Sequence, residues 1–181
     1  MDSDDAVDVL EELDDATRKR LAPLLQADAR KAIRLIRSYD EDEIGSQMTT
    51  NFVRISQGIS VKQATRSLIL QADKNDNINT IYVSDGERHY VGAIDLKDLI
   101  TAREYDDLED IIVSSYPYVF AEEKIDACVD KIKEYAEDSI PVLDEERRIV
   151  GVNTATDITE LVDEEMGEDY AMLAGMTEAS D

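Results

Sequence analysis

The sequence predicts a mixed α/β (α+β) fold: two copies of one small unit, with a short helical segment in front and a helix behind. Three observations carry this. The stretch that begins Thr80-Ile-Tyr-Val-Ser-Asp-Gly-Glu-Arg88 aligns without a gap to the one that begins Ser139-Ile-Pro-Val-Leu-Asp-Glu-Glu-Arg147. Val83 matches Val142, Asp85 matches Asp144, Glu87-Arg88 matches Glu146-Arg147, Val91-Gly92 matches Val150-Gly151, and Asp98 matches Asp157. Ahead of each copy lie a short alternating run and then a helix-spaced one, so the order strand, helix, strand, strand, helix occurs twice. Before residue 39, apolar residues recur at helical spacing. Two copies imply an internally symmetric pair rather than a solenoid.

Taken in order, Asp2-Ser3-Asp4-Asp5 is an acidic start suited to a helix N-terminus. Ala6, Val7, Leu10 and Leu13 follow at helical spacing. Asp14-Asp15 breaks that run and Thr17 opens a second helix, which Pro23 kinks or starts. Ala29, Ala32, Ile33 and Ile36 mark a third short stretch. Tyr39-Asp-Glu-Asp-Glu43 is a polar connector. Phe52 to Ser56 alternates as a strand. Ser60 is a good N-cap for a helix with Val61, Ala64, Leu68 and Ile69 on one face. Asp73 to Asn77 is loop chemistry. Strands are expected at 80–83 and 90–94, with a turn between them and a helix at 96–102. The second unit repeats this order: a strand at 118–121, a helix at 124–136 with Ile125, Cys128, Val129 and Ile132 on one face, a hairpin at 140–153 and a closing helix at 155–165. Tyr170, Met172, Leu173 and Met176 give the last stretch an apolar helical face.

The charge narrows the function. There are 43 acids against 19 bases, a formal charge of -24. Phosphate backbones are bound by Lys and Arg, so nucleic acid and anionic membrane surfaces are poor partners for this chain. Cations suit it, because so many carboxylates repel one another unless they are screened. The single cysteine, Cys128, excludes an internal disulfide framework, and a reducing compartment fits best. One His and one Cys make a tetrahedral zinc site a poor expectation, so a metal here would be hard and oxygen-ligated. No apolar run approaches the roughly 18 residues that cross a bilayer. The expectation is a soluble chain. His89 is expected as an exposed turn residue and Cys128 in the core.

The acids after the second hairpin are Asp157, Glu160, Asp163, Glu164, Glu165, Glu168 and Asp169, with no Lys or Arg among them. On a helix Glu164 and Glu168, and Glu165 and Asp169, are i,i+4 neighbours that repel. A divalent cation shared with a second acidic surface would offset that cost. Asp2 and Asp5, or Asp126, could supply the second surface. By spacing alone, a solvated acidic face is the more common explanation of such a run. No phosphate-binding loop, dinucleotide glycine fingerprint or nucleophile elbow occurs. Nothing sets a nucleophile or an oxyanion-stabilising group beside the carboxylates, so the chain is not expected to be an enzyme.

A tandem unit whose hairpin ends in Val-Gly, with an Asp six residues after the Gly, resembles the CBS-domain pair over about residues 48–164. The resemblance implies a pseudo-twofold α/β pair that commonly dimerises and whose cleft often binds adenine nucleotides. Tyr39-x-Glu41-Asp42-x-x-Gly45-Ser46-x-Met48-Thr49 looks like the junction between the helical N domain and the CBS pair in the MgtE family of magnesium channels. Asp163-Glu-Glu-Met-Gly-Glu-Asp-Tyr170 looks like that family's linker into its plug helix. The organisation this implies is the end of an N domain over 1–38, a connector at 39–47, CBS domains at 48–103 and 104–164, and a linker with the start of a plug-like helix at 165–181. The chain is then either a piece of a channel or a soluble relative.

The resemblance also implies site residues. In the MgtE family, Mg²⁺ bridges acids between N domain, CBS pair and plug helix, and Asp157, Glu165, Glu168 and Asp169 fall where such acids lie; Asp126, Asp2 and Asp5 match more loosely. Nucleotide-binding CBS units carry Gly-x-x-Thr/Ser-x-x-Asp, in which the hydroxyl meets a phosphate and the Asp accepts from the ribose. The second unit keeps Gly151-x-x-Thr154-x-x-Asp157. The first has Gly92-x-x-Asp95-x-x-Asp98, where Asp95 would repel a phosphate and Lys97 would offset part of this. Thr154 and Asp157 could equally cap the closing helix. The resemblance therefore leads to an expected Mg²⁺-sensing module on the cytoplasmic side of a membrane, a homodimer, whose bound cation favours a closed channel. The alternative is a stand-alone sensor of ATP or a related adenine nucleotide.

Overall fold

The structure is a computed structural model, and it describes residues 15–134, 137–157, 159–161, 163, 164 and 167. It is the mixed α/β pair that the sequence predicts. Its first described element is one helix, α1 (Asp15–Arg37), which runs through Pro23 without a break. The sequence predicted a helix start at Thr17 and a further stretch after Pro23. Pro23 costs the helix one backbone hydrogen bond, and the regular turns on both sides carry it across. Arg34 and Arg37 lie in the last turn, where cations favour the helix dipole. A 3-10 turn at Ile44–Gln47 follows.

Unit 1 contains β1 (Val53–Ser56), α2 (Val61–Ala72), β2 (Thr80–Ser84), β3 (Tyr90–Asp95) and α3 (Leu96–Thr101). Unit 2 contains β4 (Val119–Phe120), α4 (Ile125–Lys133), β5 (Ser139–Leu143) and β6 (Ile149–Thr154). Described residues after Thr154 continue as helix from Ala155. Each unit has a three-stranded sheet with the middle strand parallel to the first and antiparallel to the third. Their bulges coincide, between Val83 and Ser84 in one and between Val142 and Leu143 in the other.

The shared Asp-x-Glu-Arg is a turn device. Asp85 Oδ1 accepts from the amides of Glu87 and His89 at 2.8 and 2.9 Å. Asp144 Oδ1 does the same for Glu146 and Arg148, both at 2.9 Å. Each turn then places its Arg in the left-handed region, Arg88 at φ 70° and Arg147 at φ 64°. Side-chain acceptors aimed at turn amides hold a conformation that an L residue otherwise avoids.

The shared glycines have a different cause. A Cβ on Gly92 would lie 2.6 Å from the Val113 carbonyl oxygen, and one on Gly151 would lie 2.6 Å from Met48 Sδ and 2.9 Å from the Thr49 oxygen. At both places the segment that leads into one unit pairs with the last strand of the other: Thr49 with Val152, and Val113 with Ala93. Each unit thus lends a bridge to its neighbour's sheet.

Three apolar clusters result. One lies between sheet and helices of unit 1, around Ile55, Leu68, Ile81 and Ile94. The second belongs to unit 2, around Val119, Cys128, Ile132 and Ile140, and it also takes in Leu35, Ile36, Tyr39 and Ile44 from α1 and the connector. The third joins the two sheets through Tyr82, Ala93, Leu143 and Val152, with Phe52, Tyr90, Tyr116 and Tyr118 at its margin. Tyr82 is fully buried and its hydroxyl is hydrogen-bonded to Ser139 Oγ, while Tyr116 Oη donates to the Ser139 carbonyl. The helical segment therefore leans on unit 2, although it leads directly into unit 1.

Candidate functional site

The two strand ends that the sequence singled out serve first as helix caps. Asp95 Oδ1 accepts from the Lys97 amide at 2.8 Å at the start of α3. Thr154 Oγ1 accepts from the Asp157 amide at 3.3 Å. A carboxylate in one unit and a hydroxyl in the other meet the same demand, the unpaired amides of a first helical turn. Thr154 and Asp157 are half-buried, whereas Asp95, Lys97 and Asp98 are exposed.

A cleft of about 420 Å³ opens beside the first of these ends; Ala93 and Val113 form part of its lining, and its polar lining is Thr80, Asp95, Asp98, Tyr116, Glu137 and Asp138. Its walls come from both units. Four of these six side chains are carboxylates, so an anionic phosphate would meet repulsion there.

The predicted cation ligands are placed as follows. Asp157 sits in the first turn after β6, and Asp126 is exposed in the first turn of α4. Glu160, Asp163 and Glu164 are exposed on the helical residues beyond. Asp2, Asp5, Glu165, Glu168 and Asp169 lie outside the described residues, as do the C-terminal Met residues. Among the described residues, no three Asp, Glu, His or Cys side chains converge closely enough to hold a metal ion.

Sequence reasoning missed two features. One is a clasp between the connector and the β4–α4 turn. The Ile44 amide donates to the Glu123 carbonyl and the Gly45 amide to the Ala121 carbonyl, both at 2.9 Å, and the Ile125 amide donates to the Asp42 carbonyl at 2.8 Å. Lys124 Nζ adds an ion pair to Asp42 at 2.9 Å. Ile44 is fully buried and Gly45 passes so close to the Tyr39 ring that a Cβ would lie 2.7 Å from it. The Tyr39-x-Glu41-Asp42-x-x-Gly45 spacing was the available signal, but its target lies some 80 residues away.

The other is a carboxylate pair at a second cleft, of about 430 Å³, lined in part by Tyr39, Phe120, Glu122, Glu145 and Arg148. The Glu145 carboxylate beside Glu122 holds the Glu122 carboxyl above its usual range. Burial, and then Asp144 and Glu122, push the Tyr39 phenol up. His89, expected in solvent, is half-buried: Nδ1 lies 3.2 Å from Asp85 Oδ2 and its backbone bridges to Arg148, where the two hairpins meet. Cys128 is buried as expected, and desolvation pushes its thiol up to about 12.

This doubled unit, with exchanged bridges and a cleft between its halves, is the architecture of a CBS-domain pair. The CBS domain family matches residues 41–105 and 108–164, and the chain belongs to that family. The more particular relationship lies at the front, where the MgtE intracellular N domain family matches residues 1–42. The chain is 30% identical over 172 residues to the magnesium transporter MgtE of Thermus thermophilus, which covers 95% of this chain and 38% of that protein. It is 31% identical over 174 residues to MgtE of Bacillus subtilis, covering 96% and 39%. Among solved structures it is similar to the soluble part of a magnesium transporter, with TM-score 0.73 and 31% identity over 88% of this chain and 62% of that one. It is also similar to the cytosolic domain of the Mg²⁺ channel MgtE in complex with ATP, with TM-score 0.70 and 30% identity over 86% and 62%. The chain thus spans less than two-fifths of the length of these two curated relatives.

Proposed function

We propose that this chain is a Mg²⁺-sensing regulatory module of a magnesium transporter or channel, on the cytoplasmic side of the membrane. The observation that carries this is the order of its parts: an MgtE intracellular N domain match, then a CBS pair, joined by a connector that clasps unit 2. The formal charge of -24 fits a cation as the ligand. In this reading Mg²⁺ lies between acidic surfaces that include Asp157 and the acids after it, with Asp126, Asp2 or Asp5 opposite. The carboxylates supply oxygen ligands, as a hard cation requires. Bound Mg²⁺ holds helical segment and CBS pair together and favours a closed channel; its loss lets the carboxylates repel. A ligand shifts such an equilibrium only through its different affinity for the two states. No helix among the described residues is long and apolar enough to cross a membrane.

A homodimer formed through CBS helices belongs to the same reading. Ile69, Leu70 and Ile100 on α2 and α3 are 66–69% exposed and line one apolar groove, the kind of face that partners cover. A second ligand, ATP, is supported by the relative solved in complex with it. Thr154 would meet its phosphate and Asp157 its ribose; in unit 1, Asp98 and Lys97 stand beside a cleft rich in carboxylates.

Calorimetric titration of the chain with Mg²⁺ and then ATP tests both. Mg²⁺ binding that is lost in Asp157→Ala and Glu168→Ala is the expected result. ATP binding with no Mg²⁺ heat and no Mg²⁺ effect on melting would replace the channel reading by that of an adenine-nucleotide sensor.

A further inference from the structure

We propose that unit 2 is the half of the pair that opens first, and that the connector clasp holds it closed together with the helical segment. Four features of unit 2 weaken it relative to unit 1. Asn153 stands where unit 1 has Ile94; both are fully buried, and neither amide atom of Asn153 has a hydrogen-bond partner among the described residues. An unmet buried amide carries its full desolvation cost. Pro141 stands where unit 1 has Tyr82, and it has no N–H to give. The parallel ladder of unit 2 begins only after it, at Val142, and has two residue pairs, against four in unit 1. Finally, α2 starts with a reciprocal cap between Ser60 and Gln63, whereas Lys124 at the start of α4 makes no side-chain cap.

The connector supplies what unit 2 lacks. Asp42 presents its carbonyl to the Ile125 amide in the first turn of α4, and Ile44 and Gly45 extend the β4 end through Glu123 and Ala121. Leu35, Ile36 and Tyr39 cover the same core. Releasing the connector therefore uncaps α4 and uncovers its core at once, so the order of unit 2 and the docking of the helical segment form one equilibrium.

Cys128 is a built-in reporter. It is fully buried in unit 2, and Ala64 is its fully buried counterpart in unit 1. Labelling by an aromatic disulfide reagent under native conditions is compared in the whole chain and in the double variant Ala64→Cys, Cys128→Ala. Each rate is normalised to that of the same chain in denaturant. Labelling at Cys128 is expected to be about tenfold faster or more, because local opening exposes it without global unfolding. Asn153→Val should slow it about tenfold by removing the unmet amide. Ile44→Ala should accelerate it while leaving the unit 1 thiol unchanged. Equal normalised rates overturn the proposal, as does a folded Asn153→Val chain that labels as fast as the parent. Amide exchange of β5 and β6 against β2 and β3 in the unaltered chain needs no variant to fold; equal protection of the two hairpins overturns it as well.

Discussion

Unit 1 closes its core with Ile94 and opens its first helix with a Ser60–Gln63 cap; unit 2 has Asn153 and Lys124 at the corresponding places. The hairpins above these positions are nearly superimposable in plan: the same bulge, the same Asp acceptor, the same left-handed Arg. The difference lies underneath, in what each sheet packs against. Unit 1 uses its own helices and the short segment that follows them, with Leu108 buried and Ile111 and Ile112 packed beside it. Unit 2 draws on α1 and the connector to cover its core. Matching hairpins therefore do not imply matching stability, because a turn is fixed locally while a core depends on everything that reaches it.

Paired substitutions can break or sharpen that contrast. The largest effects should come from Ile81→Ala and Ile140→Ala, both nearly or fully buried in equivalent strands. Truncation of such residues costs about 2–5 kcal/mol. Chemical denaturation should show the greater loss at Ile81; a greater loss at Ile140 would argue that unit 2 is the better packed half. Next come Gly92→Ala and Gly151→Ala. Forcing atoms into a tight site costs about 1–3 kcal/mol. Gly92 faces the Val113 backbone, whereas Gly151 faces the flexible Met48 as well as the Thr49 oxygen. Thermal melting should therefore drop further for Gly92→Ala.

A smaller effect is expected at the caps. Ser60→Ala removes the half of the reciprocal cap in which Ser60 Oγ accepts from the Gln63 amide, and should cost about 1 kcal/mol. Lys124→Ala removes an exposed, solvent-screened ion pair and should move stability less than Ser60→Ala does. Denaturation midpoints that move equally would remove capping from the list of differences. The smallest effect is the pH response of the Glu122–Glu145 pair. Glu145 raises the Glu122 carboxyl, so the folded chain binds that proton more tightly than the unfolded chain does. The resulting stability is present below the ordinary carboxylate range and is lost as pH rises through the raised value. Glu145→Gln should therefore melt higher than the parent near neutral pH, and the gap should narrow on acidification. A gap that widens in acid would mean that the two carboxyls do not repel.

Local features were legible early. Ser60 was readable as a cap, Asp85 and Asp144 as turn residues, and Cys128 as core, because each depends on neighbours within about one helical turn or one hairpin. Pro23 misled the reading of α1: propensity gives the cost of a helix-interior proline, and regular turns on either side outweighed it. The site was less legible. Asp95 was read only against a phosphate and its geometry shows a cap, whereas Thr154 makes the cap that was expected beside its phosphate role. The targets of the clasp and the Glu122–Glu145 pair were not legible, since the clasp joins the connector to residues some 80 positions away and the two glutamates meet only when the β4–α4 turn lies beside the second hairpin.

The sequence by itself determined the repeated hairpin, the order of elements, the acidic character and the membership of the CBS family, because repeats, periodicity and charge are written along the chain. Only the tertiary structure decided which unit the helical segment joins, why Gly92 and Gly151 must stay small, and that Asn153 is enclosed without a partner among the described residues. Those outcomes depend on which distant surfaces meet, and it is that meeting, rather than local preference, that buries a group or leaves it in water.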